Sequence, residues 1–430
     1  MNRGWRIAIA AAFAAWVGLT AYDVRRKGHF EERDLVRNWV VGKYVVAGRD
    51  PYSLSRDILI AEYGVANPKG AWVSKIPSAV PEARRADVIP EYGPPEATYP
   101  PGAIGFLALG LGAIDDPATV LGGWFVLDVL LTLAVAALLA RLWTTPPIPP
   151  GPDGDFWWIL LVAILFTPVY ATLDRAQFSL LVLALMLIVD DPKFAWPVRG
   201  VALGLALLKP SVCMPLFLLP LIRREWRVLA TAALVQLGST LYVAAKIGRE
   251  PVSIFRDWLA VSRYFLSAGM YTVQEWVLPL STRLPWVVPL VPLLLLAFCA
   301  ATLYLHRDAP RARLFSLAGV TAVFWTYHGT YDAVLLLPML LRRMGWSNDA
   351  TSRPLARGGV LLFAALSIAY MDGVVGSPAA GWHAYRWAVR LGMIVLVVLE
   401  YVELYRDGRR GAFPRAPTFV PRSDNAPEVA

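Results

Sequence analysis

Nearly uncharged apolar stretches, many close to twenty residues long, recur along almost the whole chain, and no other feature constrains its fold as strongly. A bilayer core of about 30 Å takes roughly 20 helical residues to cross. Stretches near that length lie at about 5–22, 101–114, 118–141, 156–173, 176–190, 199–222, 227–247, 284–305, 312–327, 331–341, 357–371 and 384–404. Hydrophobic residues are 57% of the chain and charged ones 17%, so the bilayer rather than a soluble core must absorb this surface. The expectation is an all-α polytopic membrane protein of about 12 transmembrane helices, with residues 1–410 as one transmembrane domain.

The first apolar segment follows Arg3 and Arg6, but Gly18 to Asp23 is a poor small-residue cleavage site, so it reads as a retained anchor. Cys213 and Cys299 lie inside apolar spans without partner spacing and read as small apolar fillers. The net charge of +9 gathers at span ends, as Arg223, Arg224 and Arg227, then Arg307, Arg311 and Arg313, then Arg342 and Arg343, then Arg406, Arg409 and Arg410. Short cytoplasmic loops carry such an excess, so the charge reports orientation and not nucleic-acid binding. The opposite face then receives 23–100, 248–283, Tyr327 to Tyr331 and Asp372 to Trp382.

Two spanning schemes satisfy this rule. If 101–114 and 199–222 are each one pass, the break at Leu173 to Gln177 falls on the basic side. If 101–114 is re-entrant and Lys209-Pro210 divides 199–222 into two passes, the break falls on the outer side.

The long polar segment after the first span is unusual for such a chain. Leu35, Val36, Trp39, Val40 and Tyr44 follow helical spacing, with Arg33, Arg37, Asn38 and Lys43 on the remaining surface, which suits an interfacial amphipathic helix. A second helix is expected from Asp50 as N-cap and Pro51 at its first position. Residues 66–98 read as a loop, 144–154 as a proline-rich connector, and 411–430 as a polar, disordered tail.

Several groups carry candidate chemistry. Asp34 either complements the helix macrodipole or acts as a general base at the membrane surface. Arg49 and Tyr52 suit interface anchors, a lipid phosphate or a sugar. Lys209 stands in an otherwise uncharged span, where a lysine costs about 2.5–3.5 kcal/mol, so it should face a wet cavity or an anion, or snorkel from a span end. Arg175 invites the same argument unless Asp174 satisfies it locally. His328 has Asp332 one helical turn away, able to orient or charge it. The four histidines lack ligand spacing and Asp153-Gly154-Asp155 reads as a turn and helix cap, so no metal site is expected.

Taken in order, these motifs resemble the membrane-embedded glycosyltransferases of the GT-C class, and most closely glycosyltransferase family 87. The resemblance runs over about residues 5–345. It is carried by Asp34-Leu35 through Gly48-Arg49-Asp50-Pro51-Tyr52, Tyr99-Pro100-Pro101, Ala176-Gln177 before an apolar run, Gly204 to Lys209-Pro210, Arg223-Arg224, Gln274-Glu275-Trp276 with Arg283, and Trp325 to His328. Ala176 stands where the family usually has Gly, and Glu275 replaces a small hydroxyl residue.

The resemblance implies a GT-C fold with a long first outer loop, and Asp34 as the base that activates an acceptor hydroxyl. It implies a polyprenyl phosphate sugar donor, mannose by family weight, a lipid or glycan acceptor, and inversion at the anomeric carbon. Lys209, Arg175, Arg283 and His328 would hold the departing phosphate, with Arg49, Tyr52, Tyr99, Gln177 and Gln274 also binding substrate. Neither metal nor cofactor is implied, the partners are lipids, and the active site would lie on the outer face of the cell membrane. It also favours the second spanning scheme, since only there can Arg175 join the outer site. A lipid-linked sugar transporter or flippase is the competing reading, distinguished by having no need of an acid in the first loop; a structural partner in envelope assembly leaves Lys209 and Arg175 unexplained.

Overall fold

A computed structural model describes residues 3–26, 34–63, 80–143, 154–262, 286–326, 330–345 and 397–406, with isolated positions between them. Expectations that fall on 144–153, 357–371, 411–430, Gln274, Arg283 or His328 lie outside the described residues. The described elements are helical. They are α1 (Arg3–Arg26), α2 (Asp34–Val46), α3 (Pro51–Tyr63), α4 (Pro101–Gly110), α5 (Pro117–Trp143), α6 (Gly154–Leu165), α7 (Thr167–Arg175), α8 (Ser179–Asp190), α9 (Trp196–Ala206), α10 (Pro210–Ile222), α11 (Trp226–Ile247), α12 (Pro251–Ser262), α13 (Val287–Leu305), α14 (Arg311–Phe324), a 3-10 turn (Thr330–Leu336), α15 (Leu337–Gly345) and a last helix over 397–406.

Four of these, α1, α5, α11 and α13, are long and apolar enough to cross a membrane, or five if α6 and α7 are one span. The stretch expected as a single pass at 156–173 is bent by 66° at Phe166, with Pro168 in the first turn of the next helix. A proline near a helix start donates no bond to the preceding turn, so the break falls there.

Charge sorts the helix ends into two groups. At one end Arg141 Nη2 lies 2.8 Å from Asp191, Arg199 Nε donates to the Val189 carbonyl at 2.7 Å, Arg311 Nη1 to the Asp190 carbonyl at 2.7 Å, Arg223 pairs with Asp190, and Arg199 with Glu225. At the other end stand α2, α3 and the junctions at Gln177 and Lys209. Helix α8 runs from Ser179 at the second end to Asp190 at the first. Because Lys209 touches Gln177 and Ser179, while Arg199 and Arg223 both return to the foot of α8, α9 and α10 double back on each other at Lys209. The stretch 199–222 is therefore a pair of short helices reversing at Lys209 and not one continuous helix, the reversal that the second spanning scheme calls for.

The same scheme needs 101–114 to be re-entrant, and its packing agrees. Gly102 meets Gln236 near the middle of α11, and Ser239 Oγ donates to the Gly102 carbonyl at 2.5 Å. From there α4 climbs until Ala108 lies against Gly42 of α2. The chain reaches Pro100 as extended backbone and continues as a helix of ten residues, about 15 Å long, short enough for a re-entrant segment.

Helix α2 differs from the half-exposed helix expected. Asn38 and Lys43 are buried with its apolar residues, because α4 and the turn after it cover the face expected to be polar. Trp39 Nε1 donates to the Ile114 carbonyl at 2.9 Å, and Lys43 Nζ meets Asp115 at 2.5 Å. As expected, Asp50 caps α3, its Oδ1 accepting from the Tyr52 and Ser53 backbone at 2.9 and 3.2 Å. Both cysteines are buried and free.

Candidate active site

The first turn of α2 presents Asp34 to the tips of α7, α8, α10 and the 3-10 turn. The chain can turn back there because Ala176 takes a left-handed conformation (φ 50°, ψ 58°), its N–H bonded to the Leu173 carbonyl and the next N–H to the Thr172 carbonyl. That reversal closes α7 and throws Gln177 inward, where it is fully buried. Glycine enters this region at no steric cost, the physical reason a glycine is favoured at such a turn.

Gln177 joins two charged groups. Its Nε2 donates to Asp34 Oδ2, and its Oε1 accepts from Lys209 Nζ at 3.2 Å. Lys209 Nζ also donates to Asp332 Oδ1 at 2.6 Å and to Ser179 Oγ at 3.4 Å, and the Ser179 hydroxyl donates to the same Asp332 oxygen. Tyr331 reaches both sides: its hydroxyl donates to Asp34 Oδ2 at 3.3 Å, and its ring centre lies 4.6 Å from Lys209 Nζ. Arg37 Nη1 stands 3.7 Å from Asp34 Oδ1 and 3.3 Å from Glu96. Taking a lysine and an aspartate out of water costs several kcal/mol per ion, which their attraction offsets only with further hydrogen bonds; Ser179 and Gln177 provide those.

Asp34 sits in a crevice, surrounded by protein yet with 31% of its side chain open to solvent. Burial raises its pKa above the ordinary 3.8, opposed in order by the charges of Arg37 and Lys209, the Tyr331 hydrogen bond and the charge of Arg175. A carboxylate both accessible and more basic than usual has the two properties a general base needs.

Of the residues expected to bind substrate, Gln177 and Lys209 converge on Asp34. Arg175 is more than half exposed, 3.8 Å from Asp174, and contributes its charge from the rim. Tyr99 stacks edge-on against Phe178 at 5.5 Å and forms a wall behind Gln177. Tyr52 is fully buried with its hydroxyl 3.2 Å from the Tyr99 carbonyl, supporting that wall. Arg49 lies elsewhere, beyond the far end of α2, about 20 Å of helix from Asp34, donating to the Ala86 carbonyl at 2.7 Å. Asp332, expected to orient His328, binds Lys209 and Ser179. Ser179, Tyr331 and Arg37 were not anticipated as site residues. Asp332 carried a usable signal, since a carboxylate at the start of an apolar span needs a partner of opposite charge and Lys209 is the matching mid-span cation. Among the described residues no group of three His, Cys, Asp or Glu converges as a metal site.

Comparison with curated proteins and with solved structures finds no match. The family model for glycosyltransferase family 87 matches residues 97–338, a segment that holds Gln177, Ser179, Lys209, Tyr331 and Asp332 and begins after Asp34. This match covers more than half of the 430 residues, and the chain belongs to glycosyltransferase family 87.

Proposed function

We propose that this glycosyltransferase inverts configuration as it moves a sugar, mannose in the first instance, from a polyprenyl phosphate to a hydroxyl of a lipid or glycan acceptor, at the outer face of the membrane, for cell-envelope glycoconjugate synthesis. The observation that carries the reading is the joining of an accessible carboxylate, Asp34, to a buried ammonium, Lys209, through the single side chain of Gln177.

The two groups suit the two ends of a displacement. As the acceptor oxygen bonds to the anomeric carbon, its proton passes to the Asp34 carboxylate. The bond from that carbon to the phosphate oxygen breaks, and the electron pair leaves with the phosphate. Fixed positive charge stabilises an oxyanion that develops in the transition state. Lys209 supplies it beneath the crevice and Arg175 at its rim, with Arg283 and His328 assigned by family resemblance. These cations neutralise a leaving phosphate without calling for a metal or cofactor. A single displacement inverts the anomeric carbon. The site lies at the end of the bundle opposite the arginine clusters, which the charge rule puts inside.

The test is transfer from radiolabelled polyprenyl phosphate mannose to candidate lipid and glycan acceptors by purified protein, wild type against Asp34→Asn. Loss of at least a hundredfold in the folded variant is expected, in the range of general-base catalysis. Full turnover by Asp34→Asn sinks the assignment. Donor movement across vesicles without transfer, unchanged in that variant, supports a flippase instead.

A further inference from the structure

We propose that Tyr331 is a positioning residue that acts on both ends of the reaction, its hydroxyl fixing the Asp34 carboxylate and its ring fixing the Lys209 ammonium; this rests on the glycosyl-transfer reading of the site. The geometry is specific to this side chain. Its hydroxyl is 3.3 Å from Asp34 Oδ2 and its ring centre 4.6 Å from Lys209 Nζ. The backbone is held as well, since Thr172 Oγ1 of α7 donates to the Tyr331 carbonyl at 3.3 Å. The next residue is Asp332, the carboxylate partner of Lys209. One rigid ring, with two rotatable side-chain bonds, therefore sets the spacing between the proton acceptor and the cation assigned to the leaving phosphate.

Each half of the contact has a physical function. A phenol donating to a carboxylate oxygen stabilises its charged form and restricts its rotation, leaving Oδ1, toward Arg37, less encumbered. An aromatic face attracts an ammonium within about 6 Å of its centre and holds it without neutralising it. When a phosphate draws Lys209 from Asp332, the ring contact persists, because it needs no hydrogen bond from the ammonium.

The other charged groups facing Asp34 stay in place when the hydroxyl is removed: Arg37 from α2 itself, Lys209 from the α9–α10 junction and Arg175 from the end of α7, with Glu96 held by Arg37. The hydroxyl is one of the influences that lower the Asp34 pKa, so its removal moves the titration upward.

Three readouts separate the two halves: donor KM against kcat, the pH profile of kcat/KM, and infrared titration of the carboxyl band that Asp34→Asn removes. Tyr331→Phe keeps the ring and loses the hydroxyl. It is expected to leave donor KM within about twofold, lower kcat near neutral pH by about tenfold, the size of a lost hydrogen bond to a charged group, and displace both the acidic limb and the infrared titration upward. Tyr331→Leu loses both contacts and is expected to raise donor KM by a further threefold to thirtyfold, roughly the range of a cation–π contact, a loss that the ring retained in Tyr331→Phe rescues. An unmoved carboxyl titration in Tyr331→Phe, or equal donor KM in Tyr331→Phe and Tyr331→Leu, overturns the proposal. Binding of polyprenyl phosphate alone, measured by titration calorimetry, repeats the ring test without turnover. If wild type transfers no sugar, the functional reading fails, while infrared titration and calorimetry still decide whether Tyr331 holds Asp34 and Lys209.

Discussion

Burial raises the pKa of Asp34 while Arg37, Lys209, Tyr331 and Arg175 draw it back, and burial wins. Between the ordinary 3.8 and this raised value the folded protein binds more protons than the unfolded chain, so stability falls as pH rises through that window. Above it, the ionised carboxylate is a constant destabilisation. Asp34→Asn is therefore expected to melt at or above the wild-type temperature at pH 7 and to converge with it in acid, while losing transfer; a lower melting temperature at pH 7 contradicts this. The acidic limb of wild-type kcat/KM is expected above the range of an ordinary aspartate. Asp50 shows the contrasting case of a structural carboxylate: it caps α3 and pairs with Arg249. Asp50→Ala is expected to lose about 1 kcal/mol or more in thermal or denaturant unfolding. At this scale local properties of the sequence singled out Lys209, by charge in an apolar context, and Asp50, by cap position, while Asp34 as base and Gln177 as a binding residue came from the family resemblance. The partners of Lys209 come from segments 30 and 123 residues away, and no local property ranks Ser179 and Asp332 together.

Glycines make the element contacts that hold the short α4 against α11 and α2. A Cβ added to Gly105 would collide with Ser239 Oγ and come within 2.5 Å of the Ser239 carbonyl oxygen, backbone that cannot swing aside, whereas one added to Gly110 meets nothing within 4 Å. Gly105→Ala is expected to cost about 1–3 kcal/mol by forcing α4 from α11, and Gly110→Ala to stay within about 0.5 kcal/mol, both read by unfolding in detergent. The same close approach brings α9 to α11, with Gly200 against Thr231 and Gly204 against Val235. Helix existence was legible from apolar runs, but helix breaks were less so. Hydropathy alone leaves 156–173 continuous through Phe166, and hydropathy with the charge rule left two readings of 199–222, between which only the family resemblance chose before packing put Lys209 at a hairpin tip. Proline marks where a helix can begin, not whether the chain then continues or reverses.

For the molecule as a whole, the Lys209–Asp332 pair ties the α9–α10 hairpin to the turn that opens α15. Removing one member leaves the other buried and unpaired, which costs about 3–5 kcal/mol. Lys209→Met and Asp332→Leu are each expected to lower stability by that order, and the double variant to recover most of it while still failing to bind polyprenyl phosphate; equal loss in all three contradicts the pairing. The two-ended arrangement makes a topology prediction as well. Cysteine introduced at Arg175 or Asp115 is expected to react with an impermeant label from the outer side, and cysteine at Arg307 only after the inner side is opened. What the sequence determined by itself is the solvent, the helical class, the separation of basic ends from the polar segment, and the short set of charged residues able to do chemistry, because each is set by composition and spacing along one chain. What only the tertiary structure decided is which of them meet. Gln177 faces Asp34 because Ala176 turns left-handed, α2 is buried because α4 packs beneath it, and Tyr331 touches two charges at once because the chain reversals at Ala176 and Lys209 meet the 3-10 turn that carries it. Those contacts depend on packing between segments far apart in the chain, and no periodicity within a segment encodes them.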